Sequence, residues 1–140
     1  MDVAILYPVF VQVALTFGLQ IWMGLERYRA VQAGAVQRGA HPGQRPAWPE
    51  RAAVVSNAFH NQLEIPMLFY AVVAFSMLAS AADVPMLGLA WVFVMSRLVH
   101  AFIHTTYNYV PHRFLVYLAG SILVMVMWLR LFLHVISAGA

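Results

Sequence analysis

The chain has 140 residues, of which 63% are hydrophobic and only 9% are charged, and its net charge is +3 at pH 7. A soluble domain of this length carries about 25% charged residues and cannot bury so much apolar surface, so much of that surface must face lipid. The sequence contains no cysteine, which excludes disulfides, thiolate metal sites and a cysteine nucleophile.

The hydrophobic runs predict four transmembrane helices. The first contains 23 uncharged residues from Val3 to Leu25, enough to span roughly 30 Å of hydrocarbon at about 1.5 Å per residue. Proline-containing segments separate the later helices. The predicted helices cover about residues 3–39, 50–81, 85–109 and 112–137, with a loop over about 40–49. We therefore expect a single all-α domain over residues 1–140, a four-helix bundle integral to the membrane.

The arginines predict the orientation of this bundle. Five lie in the connection between the first two membrane-crossing segments, where the first helix extends past the membrane, and Arg113 lies between the last two, whereas the other side has Asp2 and Asp83. By the positive-inside rule, both arginine-rich connections face the cytoplasm and both termini lie outside. The arginines do not form the basic stripe that binds nucleic acid, so no nucleic-acid partner is expected. The five arginines are Arg27, Arg29, Arg38, Arg45 and Arg51.

Polar side chains form one stripe on the second helix and another on the third. The spacing of each stripe places its members on one face of a continuous helix. A charge at bilayer depth costs about 2.5–3.5 kcal/mol, so we expect the two stripes to face each other instead of lipid. The second helix carries Asn57, His60, Asn61 and Glu64, and the third carries Arg97, His100, His104 and Asn108.

An antiparallel register pairs these stripes by depth. Counted from the cytoplasmic ends, Glu64 lies opposite Arg97. His60 similarly lies opposite His100, and Asn57 opposite His104. We expect an ion pair between the Glu64 carboxylate and the Arg97 guanidinium about 18 Å into the membrane. Removing either partner of a buried ion pair typically costs about 3–5 kcal/mol.

Three short motifs stand on these helices: N-x-x-E-x-P at 61–66, R-x-x-H at 97–100 and P-x-R at 111–113. Together they resemble the MAPEG family, the membrane-associated proteins in eicosanoid and glutathione metabolism, and are most similar to its short bacterial members. The resemblance covers the second to fourth helices and agrees with the chain length and topology. It implies a homotrimer in contact with membrane lipid. Glutathione would bind as co-substrate between neighbouring subunits near the cytoplasmic face, and lipophilic small molecules would enter from the bilayer.

The resemblance also implies roles for individual residues. The arginine matching Arg113 stabilises the glutathione thiolate, while Asn61 and Glu64 would hold the peptide part of the ligand. Arg27 or Arg29 would bind a carboxylate at the mouth of the site. A thiol with a pKa of about 8.5 is a poor nucleophile at pH 7 until a cation lowers that pKa, so an arginine suits the proposed role.

Two positions depart from the pattern of glutathione-using members. Asn57 stands where those members usually carry arginine, and His104 stands where they usually carry tyrosine, although Tyr107 lies one turn beyond. These departures leave open whether the ligand is glutathione or a related thiol. The candidate ligand-binding residues are Asn57, His60, Asn61, Glu64, Arg97, His100, His104, Tyr107, Arg27 and Arg29, with Arg113 as the candidate catalytic residue.

Three functions remain open from the sequence. The first is a glutathione- or thiol-dependent transferase or peroxidase that acts on lipophilic electrophiles. The second is a non-catalytic scaffold or lipid-binding trimer, in which the polar stripes only order the bundle and Arg113 only anchors it at the membrane surface. The third is a metal-dependent membrane enzyme, because imidazole and carboxylate groups are typical ligands of zinc and iron. Its ligands would be His60, Glu64, His100 and His104.

Overall fold

The computed structural model describes residues 3–36 and 46–139, and these residues form helices joined by short turns. Four helical segments are long and apolar enough to cross a membrane. The predictions for Asp2, Arg38, Arg45 and loop residues 40–45 concern residues outside the described ones. The helices are α1 (Leu6–Gln32, after a 3-10 turn at Val3–Ile5), α2 (Glu50–His60), α3 (Ile65–Leu78), α4 (Val84–Thr105) and α5 (Val110–Gly139).

The helix α1 ends at Gln32, earlier than the predicted end near residue 39. Gly34 adopts a left-handed conformation with φ of 63°, which glycine takes at little cost. The N–H groups of Gly34 and Ala35 then donate to the carbonyls of Val31 and Ala30, both at 3.0 Å. This pair of bonds is a Schellman motif, which satisfies the last carbonyls of a helix. Gly34 is therefore the residue at which the helix stops, a signal that the predicted end near residue 39 did not take into account.

The second membrane span is broken, whereas the sequence predicted one continuous helix over 50–81. It consists of α2, a 3-10 turn at Asn61–Leu63 and α3, and Glu64 between the last two has non-helical angles (φ −94°, ψ −102°). Pro66 explains the break, because proline has no N–H to donate and its ring clashes with the carbonyl four residues earlier. The span ends at Leu78.

The other two spans differ from prediction mainly at their ends. The third span, α4, was predicted over 85–109 but ends at Thr105. Asp83 caps its start by accepting a 2.9 Å hydrogen bond from the Met86 N–H, and its other carboxylate oxygen pairs with Arg130 of α5 at 2.8 Å. The turn after α4 contains Asn108 with φ of 50°, and α5 then begins at Val110 instead of residue 112.

The bundle has an apolar core and one enclosed polar contact between α1 and the second span. Phe69 of α3 and Phe93 of α4 stack with ring centroids 4.6 Å apart inside this core. Toward the break, Gln12 donates to the Gln62 side-chain oxygen at 3.0 Å, and both residues are fully buried. This pair connects α1 to the 3-10 turn, so the break in the second span packs against α1.

Candidate functional site

A cavity of about 270 Å³ lies where the break in the second span meets α4 and α5. It unites Asn61, Glu64, His100 and Arg113 from the predicted set of site residues. We call it the Arg113 cavity. The residues that line it are Asn61, Glu64, His100, Val110, Arg113, Phe114 and Tyr117.

Arg97 lies behind this cavity and is fully buried. Its Nη2 lies 3.4 Å from the Asn61 carbonyl oxygen, to which it donates, and 3.3 Å from His100 Nδ1. Its guanidinium carbon lies 5.7 Å from the centre of the Tyr117 ring. A broken helix leaves carbonyl groups without their usual partners, and Arg97 supplies a donor to one of them. Arg97 thus caps the interrupted second span from the neighbouring helix.

The predicted ion pair between Glu64 and Arg97 is wrong. Across residues 3–36 and 46–139, the two ion pairs are Arg29 with Glu26 and Arg130 with Asp83. Glu64 is exposed and accepts a long, 3.5 Å hydrogen bond from the Tyr117 hydroxyl. The register argument assumed an unbroken helix, whereas the break turns Glu64 into the cavity and leaves Arg97 to the backbone.

Arg113 is held at the start of α5 by the turn that precedes it. Its Nη1 donates to the Asn108 side-chain oxygen at 2.7 Å. Asparagine tolerates the left-handed conformation that Asn108 adopts. The Arg113 Nε is enclosed and has no partner among the described residues. The turn therefore holds a permanent cation at the edge of the cavity.

His104 lies next to the cavity without lining it. The residue is 1% exposed, its Nδ1 lies 3.4 Å from Asn61 Nδ2, and its ring centre lies 5.8 Å from that of His100. The sequence paired His104 with Asn57, but its actual contact is Asn61, the residue that lines the cavity. His104 therefore supports Asn61 from behind.

Asn57 and His60 face a different cavity, of about 620 Å³, which we call the Arg27 cavity. Arg27 donates from Nη2 to the Ser56 hydroxyl at 2.8 Å, and its guanidinium carbon lies 5.0 Å from the centre of the Trp48 ring. The prediction that one face carries all four polar residues of the second span is wrong, because α2 ends at His60 and the chain changes course there. The lining residues are Arg27, Pro46, Trp48, Ala53, Ser56, Asn57 and His60.

Two other predicted ligand residues line neither cavity. Arg29 pairs with Glu26 at 3.0 Å, and its side chain is 68% exposed. Tyr107 is exposed in the turn after α4, where its hydroxyl lies 3.2 Å from His112 Nδ1. Both side chains therefore lie outside the two cavities of this chain.

The structure does not support the alternative metal site at His60, Glu64, His100 and His104. In the two described stretches of chain, no group of three or more His, Cys, Asp or Glu residues is placed to hold a metal ion. His60 instead lines the Arg27 cavity, where its Nδ1 lies 2.7 Å from the Ser56 carbonyl oxygen. The break therefore separates His60 from the two histidines of α4.

The sequence did not predict the apolar groove that adjoins the Arg113 cavity. Its volume is about 510 Å³. Ile65 directly follows Glu64, and Ser121 lies one helical turn beyond Tyr117, so the groove continues the cavity along α3 and α5. The helical spacing of its α5 residues was the available signal. The groove is lined by Ile65, Leu68, Ser121, Val124, Met125 and Trp128.

The model of the MAPEG family matches residues 5–133, nearly the whole chain. The matched region includes all the residues that line the Arg113 cavity, the Arg27 cavity and the apolar groove. No curated protein and no solved structure matches the chain. The family match therefore covers the whole bundle but identifies no substrate.

The geometry around Glu64 predicts that Glu64→Gln changes the stability of the bundle little. An exposed carboxylate without a cationic partner contributes little, so we expect the free energy of unfolding to fall by less than about 1 kcal/mol. Unfolding in mixed micelles of detergent and denaturing surfactant would measure this. Ser137→Ala, at the far end of α5, provides an exposed control. A loss of about 3–5 kcal/mol would indicate an ion pair with Arg97 and contradict the structure.

Proposed function

The chain belongs to the MAPEG family, and we propose that it is a transferase or peroxidase that uses glutathione or a related thiol and acts on lipophilic electrophiles. The observation that carries this proposal is the junction between two unlike compartments. The Arg113 cavity contains a fixed cation and a carboxylate, and it adjoins a groove lined mainly by apolar side chains. Such a junction lets a polar thiol and a lipophilic electrophile meet.

Arg113 is the residue that would activate the thiol. At pH 7 a thiol with a pKa of about 8.5 is mostly protonated, and a neighbouring cation favours the thiolate. Arginine remains charged at any physiological pH, so it can stabilise the thiolate without exchanging protons with it. The bond to Asn108 holds the guanidinium in place, which reduces the reorganisation needed when the sulfur becomes negative.

Two reactions fit this arrangement. In conjugation, the thiol proton leaves to water and the thiolate sulfur forms a bond to an electrophilic carbon. The electron pair of the bond that breaks at this carbon moves to a leaving group or to an adjacent oxygen. In peroxide reduction, two thiols become a disulfide, and the hydroperoxide becomes an alcohol and water. Both reactions need a thiolate, and both place the lipophilic part of the second substrate in the apolar groove.

The charges of glutathione also suit a site completed by a second subunit. Glutathione has one ammonium and two carboxylate groups, whereas the Arg113 cavity offers Glu64 for the ammonium and Arg113 for the sulfur. The Arg27 cavity contains a further cation, whose Nε is enclosed and has no partner within residues 3–36 and 46–139. We propose a homotrimer in which the Arg27 cavity of one subunit lies beside the Arg113 cavity of the next and binds a glutathione carboxylate.

The proposal predicts that Arg113→Met prevents thiolate formation and lowers the rate. Loss of one preorganised donor to a developing anion typically lowers kcat by about 10²–10³-fold. Ultraviolet absorbance of the glutathione thiolate and turnover of chlorodinitrobenzene would be measured with the detergent-solubilised protein. Arg130→Met is the matched control, because Arg130 pairs with Asp83 at the other end of α5.

The wild-type protein provides the decisive comparison. If the folded protein forms no thiolate, turns over no electrophile and releases no heat on titration with millimolar glutathione, then the enzymatic proposal is wrong for glutathione. The same result with other small thiols would favour the non-catalytic scaffold.

The trimer predicts a defined mass and a defined loss of binding. Native mass spectrometry of the protein released from micelles should give three times the mass of one chain. Arg27→Met should weaken glutathione binding roughly 10- to 100-fold, because a hydrogen bond to a charged group contributes about 1.5–3 kcal/mol. Arg29→Met should bind normally, since Arg29 lines neither cavity. A monomer that binds glutathione with full affinity would exclude this shared site.

The proposed orientation places both cavities toward the cytoplasm, and the absence of cysteine makes this simple to test. A membrane-impermeant maleimide should label Val84→Cys, at the exposed start of α4, in right-side-out vesicles. Ala35→Cys, at the exposed end of α1, should react only after the vesicles are opened. The reverse labelling pattern would show that the topology is opposite to the proposed one.

A further inference from the structure

His100 is the histidine of α4 that reaches the Arg113 cavity. It lines the cavity although only 2% of its surface is exposed. The groups around its ring come from three elements. They are Arg97 and His104 on α4, Arg113 and Tyr117 on α5, and Glu64 at the break. His100 is therefore held firmly, and the chemistry of its two ring nitrogens is set by its neighbours.

The partner of His100 Nδ1 determines which ring nitrogen carries the proton. Arg97 Nη2 lies 3.3 Å from Nδ1. A guanidinium has donors but no acceptor, so this contact is a hydrogen bond only if Nδ1 presents a lone pair. In a neutral imidazole the proton then resides on Nε2. Nε2 has no hydrogen-bond partner among the described residues, and this nitrogen is not fully enclosed.

We propose that Arg97 fixes His100 in the Nε2–H tautomer and so makes it a hydrogen-bond donor to an anionic sulfur or oxygen in the Arg113 cavity. Arg97 acts as a positioning residue, and His100 touches the ligand. The tautomer follows from the contact between the two side chains alone. The donor role rests on the proposed function, since it needs a ligand in this cavity.

This tautomer also defines what the cavity recognises. With its proton on Nε2, His100 offers no lone pair to the cavity and does not act as a base there. The Arg113 guanidinium and the His100 Nε2–H then both offer hydrogen-bond donors to the Arg113 cavity, and the Glu64 carboxylate offers an acceptor there. The ligand class is an anionic centre accompanied by an ammonium group, which describes the thiolate of an aminothiol. In conjugation, the same donor can serve an oxygen on which charge develops.

The tautomer is measurable without any ligand. The full-length protein with 15N-labelled histidine would be placed in nanodiscs, and the His100 signals would be assigned by their loss in His100→Gln. We expect a pyridine-like shift for Nδ1 and a pyrrole-like shift for Nε2. An Nδ1–H tautomer or an imidazolium in the wild-type protein at pH 7 would overturn the proposal, whatever the protein binds.

A variant of the positioning residue tests the cause. Arg97→Met removes the donor to Nδ1, so His100 should become a mixture of tautomers. His134, which contacts the Ala79 carbonyl near the other end of the bundle, should keep its spectrum and serve as an internal control. If a folded Arg97→Met protein retains the pure Nε2–H form, then Arg97 does not fix it. If this variant does not fold, the wild-type spectrum still decides the tautomer.

Two substitutions of His100 test the donor role, with glutathione as the probe. His100→Phe keeps a ring but has no donor, and we expect glutathione affinity or kcat/KM to fall roughly 10- to 100-fold. His100→Gln restores an N–H donor, so its glutathione affinity and kcat/KM should stay within about threefold of wild type. That difference is smaller than the contribution of one hydrogen bond to a charged group. If wild type binds glutathione and His100→Phe equals it, the donor role is wrong. If wild type binds no glutathione, the proposed function fails instead, and the two failures are distinguishable.

Discussion

The burial of one guanidinium is the constraint on which the site depends. Arg97 is fully buried in a helix that crosses the membrane, and no carboxylate among the described residues pairs with it. A charge at that depth requires polar partners, because hydrocarbon offers none. The interrupted second span provides one in the Asn61 carbonyl, and His100 provides another. Gly120 also contributes, because a Cβ there would come within 3.0 Å of Ser96 Oγ, so glycine lets α5 approach α4 beside Arg97.

The same break explains why one polar stripe becomes two half-sites. Before the break, α2 directs Asn57 and His60 toward Arg27, and beyond it Asn61 and Glu64 line the Arg113 cavity. A continuous helix would have gathered all four residues in one place within one protomer. The broken span instead divides them between two cavities, each of which has an arginine in its lining. The proposed trimer would bring these two kinds of cavity together from neighbouring subunits.

The sequence predicted the elements better than the contacts, and the reason is physical. Hydrophobic runs depend on single spans, so the four helices able to cross a membrane were predicted correctly. The motifs named Asn61, Glu64, His100 and Arg113, and these four residues line one cavity. The register argument depended on a helix that stays straight, and Pro66 breaks it. The predicted ion pair of Glu64 therefore failed, as did the predicted opposition of Asn57 and His104. Pro66 and Gly34 were both visible signals, but their effect on side-chain direction requires coordinates.

The unpartnered donors of the arginines support the proposed anion-binding site. Polar groups that only order a bundle should satisfy one another, because an enclosed polar atom without a partner typically costs about 1–3 kcal/mol. Seven enclosed side-chain atoms lack a partner in residues 3–36 and 46–139, and four of these belong to Arg27, Arg97 and Arg113. Two of these arginines line the two cavities, and the third lies directly behind one of them. These arginines therefore keep donor capacity at or beside the two cavities, which the proposed anion-binding site would use.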